Sequence, residues 1–364
     1  MKWNRFVYLV VIVAGLPVFG AACGGDGGET AVSQTTPIPT ATIEPTEEPT
    51  ETITAVPPTQ TPSPTPTPQP TSTQEPTMTP TPKPTFTELF AIEDAPDSLK
   101  APNGVAVDGQ DNLYILDAGN DRLLKLDGEG TLLEMWDTKG SEPGMFDSLG
   151  FGGIAIDGND NLFVVDNGNF RIQKFDSNGN FVTEWGSEGL RNGQFKRAIG
   201  IAIDVNGNVY ISDDGRPEIQ VFDNDGNFLR KFGSRGTDDG EFQHPTGIAV
   251  DATGNVYVAD YENKRVQKFD NEGQFLLSWG MAVNSRGTPE GIGIDANGRL
   301  YITDYDSGRV EIFTADGEFI TDWTGGENGR FSRPVAVAFD SLGNVYVSNQ
   351  AGNAIRKFAP PPLP

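Results

Sequence analysis

The stretch GIAVDATGNVYVADYENKRVQKFDNEGQFLLSWG, Gly247 to Gly280, decides the fold. It contains four short apolar runs, GIAV, NVYVA, RVQKF and QFLLSW, separated by turns rich in Asp, Asn and Gly. Runs this short, dense in Val, Ile and aromatics, read as strands, and none is long enough for a buried helix. The stretch is therefore a four-stranded antiparallel meander.

Copies of it fill most of the chain beyond Phe86. The Asp that ends the first strand recurs at Asp108, Asp157, Asp204, Asp251, Asp295 and Asp340, at intervals of 44 to 49 residues. Four strands per unit at this period is the pattern of a β-propeller blade, and six copies give six blades. The second strand ends in Asp117, Asp166, Asp213, Asp260 and Asp304, with Asn349 in the sixth copy; an Arg follows five residues later at Arg122, Arg171, Arg265 and Arg309. The sixth copy stops after its third strand, at Phe358. The sequence Phe86 to Phe90 reads like Phe181 to Trp185 of the second copy, which predicts that the N-terminal strand completes the last blade and closes the ring. Closure removes the unpaired strand edges that an open ring would leave.

These motifs, with the link G-x-x-G-x-x-x-G-x-F-x-x-P-x-G from Gly233 to Gly247, resemble the NHL-repeat family of six-bladed propellers over nearly all of Phe86 to Phe358. The expected fold class is all-β. The family includes scaffolds, sensors, lyases and RNA binders, so the resemblance implies a fold more sharply than a function. By analogy with such blades, the first strand lines the central channel. The second-to-third turns and the inter-blade links then share one face, here called the top.

Before the propeller the composition differs. Residues 1–22 carry Lys2 and Arg5 ahead of an apolar run from Phe6 to Phe19, which reads as a secretory signal. Phe19 to Cys23 resembles a bacterial lipobox, with Gly20 at the place usually held by leucine. That resemblance implies cleavage before Cys23, the only cysteine, and its lipidation, and thus a lipid-anchored propeller on the extracytoplasmic side of the plasma membrane. Residues 23–85 are dominated by Thr, Pro, Ser and Gln and cannot bury enough apolar surface to fold, so they read as a disordered tether with Thr/Pro spacing suited to O-glycosylation. The propeller is expected over 86–359, followed by a Pro-rich tail at 360–364.

The formal net charge is −25, and few of the charges lie in the tether. An acidic propeller repels phosphate backbones, which makes the RNA-binding branch a poor match, and suits solubility, cations or basic partners. The expected partner is a protein, peptide or envelope glycan and no nucleic acid, bound by a monomer. The Asp ring ending the second strands reads as a turn device that accepts backbone N–H groups or pairs with the Arg five residues on. Copy three, with Pro217 and Glu218 there, must build its turn differently. Asp157 to Asn161 and Asp223 to Asn227 begin like calcium loops but lack the Gly and Glu that such a loop needs, and read as hairpin turns. The link phenylalanines Phe146, Phe195, Phe242 and Phe331 read as packing plugs.

Candidate ligand-binding residues are Arg197, His244 and Arg333, at equivalent places in the links, and Phe170, Tyr261 and Tyr305 in the second-to-third turns. All should lie near the top mouth, where they could hold a carboxylate or stack on a sugar ring. The propeller enzymes that the fold resembles (amidating lyases, streptogramin-type lyases, lactonases) use channel histidines, often with a metal. The single histidine, His244, excludes a His-rich metal site. No catalytic residue, metal ligand or cofactor is assigned, although a calcium site built on Glu, Asn and Asp stays open. The channel strands read as apolar and free of spare carboxylates. Together these features favour a non-enzymatic binding or scaffold module. The alternative is a secreted lactonase-like lyase or hydrolase using a divalent cation in the channel.

Overall fold

The computed structural model describes residues 84–93, 97–283, 287–326 and 329–360. The signal sequence, Cys23, the tether up to Lys83 and the last four residues of the tail lie outside them.

The described chain opens with β1 (Glu88–Ile92). Blade 1 is β2 (Val105–Val107), β3 (Leu113–Asp117), β4 (Arg122–Leu126) and β5 (Leu132–Trp136). Blade 2 is β6 (Ile154–Ile156), β7 (Leu162–Asp166), β8 (Arg171–Phe175) and β9 (Phe181–Trp185). Blade 3 is β10 (Ala198–Ile203), β11 (Val209–Asp213), β12 (Glu218–Phe222) and β13 (Phe228–Phe232). Blade 4 is β14 (Pro245–Val250), β15 (Val256–Asp260), β16 (Arg265–Phe269) and β17 (Phe275–Gly280). Blade 5 is β18 (Pro289–Ile294), β19 (Leu300–Asp304), β20 (Arg309–Phe313) and β21 (Phe319–Trp323), followed by the small hairpin β22 (Gly325–Gly326) and β23 (Gly329–Arg330). Blade 6 is β24 (Pro334–Phe339), β25 (Val345–Asn349) and β26 (Ala354–Phe358), with β1 as its outer strand. This is the expected six-bladed, all-β propeller, closed by the N-terminal strand.

The register of closure differs from the sequence reading. Glu88, not Phe86, takes the place that Phe181 has in blade 2: Glu88 pairs with Phe358 and Ile92 with Ile355, as Phe181 pairs with Phe175 and Trp185 with Ile172. The two-residue slide keeps the same faces inward, because side chains alternate with period two. It also frees Phe86 to stack on Trp323 of blade 5, with ring centroids 4.0 Å apart and planes 6° apart. The seam is reinforced by the buried pair of Glu88 with Arg356 (2.5 and 2.7 Å) and by Ser341, whose N–H and hydroxyl both donate to Asp111 of blade 1 (2.7 Å each).

The core lies between blades. The aromatic ending each fourth strand packs on the phenylalanine ending the next blade's third strand: Trp136 on Phe175, Trp185 on Phe222, Phe232 on Phe269, Trp279 on Phe313 and Trp323 on Phe358, at 4.9–6.3 Å. Ile92 against Leu126 is the aliphatic counterpart at the closing seam. Phe146, Phe195, Phe242 and Phe331 are buried against the same third-strand phenylalanines, as the plug reading requires. At the axis the channel strands crowd together. A Cβ on Gly291 would stand 2.1 Å from the Val335 carbonyl oxygen of the next blade, so only glycine fits there.

Candidate functional site

The top face is built by one recurring clamp. The Asp ending each second strand accepts backbone N–H groups from the incoming link. Asp117 takes Lys100 (2.7 Å), Asp166 takes Asp147 (3.0 Å), Asp213 takes Lys196 and Arg197 (2.8 Å each), and Asp260 takes Gln243 (3.0 Å). Its other oxygen takes the Arg five residues on in blades 1, 2 and 4, at 2.7, 2.8 and 3.2 Å. The Asp ring is thus a turn device. Blade 3 is built differently, as its sequence requires. Arg216, two residues earlier, sends its guanidinium to the link carbonyls of Arg191 and Gln194 (2.7 and 2.8 Å) and to Glu218 (2.5 Å). It does the work of Arg171, which reaches the carbonyls of Ser141 and Met145. Burial pushes the Asp213 carboxyl above the ordinary carboxylate range, against the pull of its three backbone donors. The supposed calcium loops are turns as well: Asp157 Oδ1 accepts from the N–H groups of Asn159 and Asn161, and Asp223 Oδ1 from those of Asp225 and Asn227.

Two positions per blade rise beside the channel mouth. One is the residue just after the clamp: Ala118, Asn167, Asp214, Tyr261, Tyr305 and Gln350. The other, in the link, is Ala101, Gly150, Arg197, His244, Thr288 and Arg333. Blade 1 places small residues there, and blade 2 a glycine and Asn167, whose Nδ2 donates to the Ala198 carbonyl (2.8 Å). Blades 3 to 6 place a connected arc. Asp214 pairs with Arg197 through one oxygen and with His244 Nε2 through the other (3.1 Å). The His244 ring lies 5.3 Å from that of Tyr261, which lies 6.4 Å from that of Tyr305. The Arg333 guanidinium sits 5.4 Å above the Tyr305 ring, and the Tyr305 hydroxyl donates to Gln350 Oε1 (3.2 Å).

Five of the six sequence-predicted residues are thus brought together. Phe170 is not: it occupies the fourth place of its turn, with a left-handed backbone (φ 55°), where the siblings carry Asp121, Pro217, Lys264, Gly308 and Asn353. Tyr305 is only 3 % exposed and forms a floor under Arg333 rather than a stacking surface. Asp214 and Gln350 were missed. Aligning the residue after each second-strand Asp, the place already filled by Tyr261 and Tyr305, would have found both.

Below the mouth the channel strands enclose about 130 Å³, lined by Val105, Ile154, Ile201, Ile248, Ile292 and Val337 with the glycines beside them. The expectation of an apolar channel needs one correction. Glu290, buried at 7 % exposure, lies within β18 and lines the cavity. The other polar wall side chain serves the backbone: Asn103 donates to the Gly152 carbonyl (3.2 Å); beside the wall, Thr246 Oγ1 donates to that of Glu290 (2.9 Å). Calcium takes six to eight oxygens. One carboxylate with carbonyls already used as acceptors does not fit it, and among the described residues no three His, Cys, Asp or Glu gather as a metal site.

The chain is a six-bladed β-propeller, and it carries NHL repeats: the NHL repeat family matches residues 152–175 and 242–269, within blade 2 and across the link into blade 4. No curated protein matches the chain. Among solved structures it is similar to a streptogramin B lyase (16% identity, TM-score 0.52, covering 77% of this chain and 97% of that one). A catalytically inactive His-to-Ala variant of virginiamycin B lyase from Staphylococcus aureus, solved with quinupristin, is similar too (14%, TM-score 0.52, 76% and 88%). So is a gluconolactonase from Xanthomonas campestris (17%, TM-score 0.56, 78% and 96%). At these identities the likeness is one of fold.

Proposed function

We propose that the chain is an extracytoplasmic propeller, anchored through a lipidated Cys23 and held off the membrane by residues 23–85. In this reading its top mouth is a non-enzymatic binding module for a protein, peptide or envelope glycan. The observation that carries this is the connected arc on blades 3 to 6: Arg197, Asp214, His244, Tyr261, Gln350 and Arg333 stand there, against Ala101, Ala118 and Gly150 on blades 1 and 2, where Asn167 serves the Ala198 carbonyl. A turn device recurs in every blade; this arc does not. The cavity beneath is smaller than the 300–1,000 Å³ typical of enclosed small-molecule sites, so a ligand engages the rim more than the channel.

The second reading is a lyase or lactonase. Glu290 in the channel and the likeness to the streptogramin B lyase and the gluconolactonase favour it, the latter by fold analogy alone. The test compares the full chain with its Tyr261→Ala/Arg333→Gln variant in binding to isolated cell envelopes, alongside turnover of lactones and streptogramins with and without added calcium or magnesium. Binding that needs the two residues, without turnover, supports the module. Metal-dependent turnover abolished by Glu290→Gln overturns it. Metabolic labelling with a fatty-acid analogue, lost in Cys23→Ala, tests the anchor.

A further inference from the structure

Resting on the binding reading, we infer that the ligand contact at the top mouth is a carboxylate on a short aliphatic chain, held by Arg333 and Gln350. The three basic link residues are not equivalent. Arg197 and His244 share the Asp214 carboxylate. Arg333 is exposed, and among the described residues no ion pair includes it; its partner is the face of Tyr305. A guanidinium that meets a ring rather than a carboxylate keeps N–H donors available, and these suit a carboxylate ligand. Gln350 adds a second donor. Its Oε1 accepts the Tyr305 hydroxyl, which leaves the Nε2 hydrogens for another acceptor. Its backbone N–H bonds to the Arg333 carbonyl (3.2 Å), so the two side chains share one rigid corner.

The backbone of Arg333 is left-handed (φ 55°). Ala101 in blade 1 shares this geometry (φ 46°), so the turn belongs to the architecture and the side chain is what differs. Glycine would sit there without strain. Two residues on, Val335 opens the channel wall, lined by Val337, Ile292 and Gly291. The cavity has room for about four water molecules' worth of an aliphatic group.

The experiment is saturation-transfer NMR on the full chain with isovalerate, its uncharged isostere isovaleramide, and N-acetyl-leucine as a peptide C-terminus. Isovalerate is expected to bind about tenfold more tightly than the amide. The preference should be lost in Arg333→Gln and in Arg333→Gly, which relieves the backbone and keeps the fold, and kept in the distant control Lys139→Gln. Tighter binding of N-acetyl-leucine would assign the carboxylate to a peptide end, and weaker binding to a free acid. Equal binding of acid and amide, retention in Arg333→Gln, or loss through Arg197→Gln instead overturns the inference. If envelope binding persists in any of those cases, the binding module stands without it; if envelope binding is absent as well, both fall.

Discussion

Glu311→Gln should stabilise the propeller, and more so as the pH rises. In blades 2, 3 and 4 the middle residue of the third strand is a glutamine, Gln173, Gln220 or Gln267. Each accepts a link N–H through Oε1 (Gly144, Gly193 and Gly240, 2.8–2.9 Å) and donates through Nε2 to a link carbonyl (Met145, Gln194 and Glu241, 2.7–2.8 Å). Blade 5 has Glu311, fully buried, accepting from the N–H groups of Ala282 and Val283 (2.7 and 3.2 Å) and unable, when ionised, to donate. Burial, with the nearby Asp304 charge adding to it, raises the Glu311 pKa above its ordinary value, although the two N–H groups and Arg309 pull the other way. The folded state therefore holds this proton longer than the unfolded chain. The group costs nothing below the ordinary carboxylate range, and its cost grows as the pH climbs through the raised value. Glutamine removes that cost while its Oε1 still accepts the Ala282 N–H. Relief on the order of 1 kcal/mol is about 2–4 °C in Tm in a domain this size. Thermal unfolding of both proteins from pH 4 to pH 8 checks it: the gap should be near zero at the acid end and open toward neutrality. A variant less stable at pH 8, or a gap independent of pH, would refute the reasoning.

Phe86→Ala removes the ring stacked on Trp323 and should cost about 3 kcal/mol by chemical denaturation, despite lying outside the regular strands. Gly291→Ala drives a methyl into the Val335 carbonyl at the axis and should destabilise by at least about 2 kcal/mol, or leave the chain insoluble. Arg216→Ala should cost more than Arg230→Ala in chemical denaturation, since Arg216 holds the link carbonyls of Arg191 and Gln194 whereas Arg230 reaches the exposed Asn271 carbonyl. Chelation of divalent cations should leave Tm unchanged; a drop reversed by calcium would show a metal site that the donor groups do not suggest.

The blade pattern was legible because strand, turn and clamp residues repeat together, so that each copy confirms the others. Closure was legible in kind but not in register, since a slide of two residues preserves every inward face, and only the landing of Phe86 on Trp323 decides it. The site was legible where a residue broke the repeat conspicuously, as His244, Arg333 and the tyrosines do. It was not where the deviation was quiet. Asp214 follows another Asp and passes for part of the clamp, and Glu290 sits between Pro289 and Gly291 in what reads as a strand entrance. Which cation a carboxylate neutralises is a matter of neighbouring blades, and no single repeat contains it.

Among the described strands, the one that seals the ring comes first along the chain and pairs with the last. Glu88 must wait for Arg356, 268 residues later, before it finds its partner. Loop closure over that span is slow to recover in other contacts, although each doubling of length adds only about 0.6 kcal/mol. Without that pairing no sheet ladder joins the last blade's third strand to the start of the propeller. A chain that loses β26 therefore loses more than one strand, because β1 then has no strand to pair with. The edges this bares are the kind that pair with a second copy.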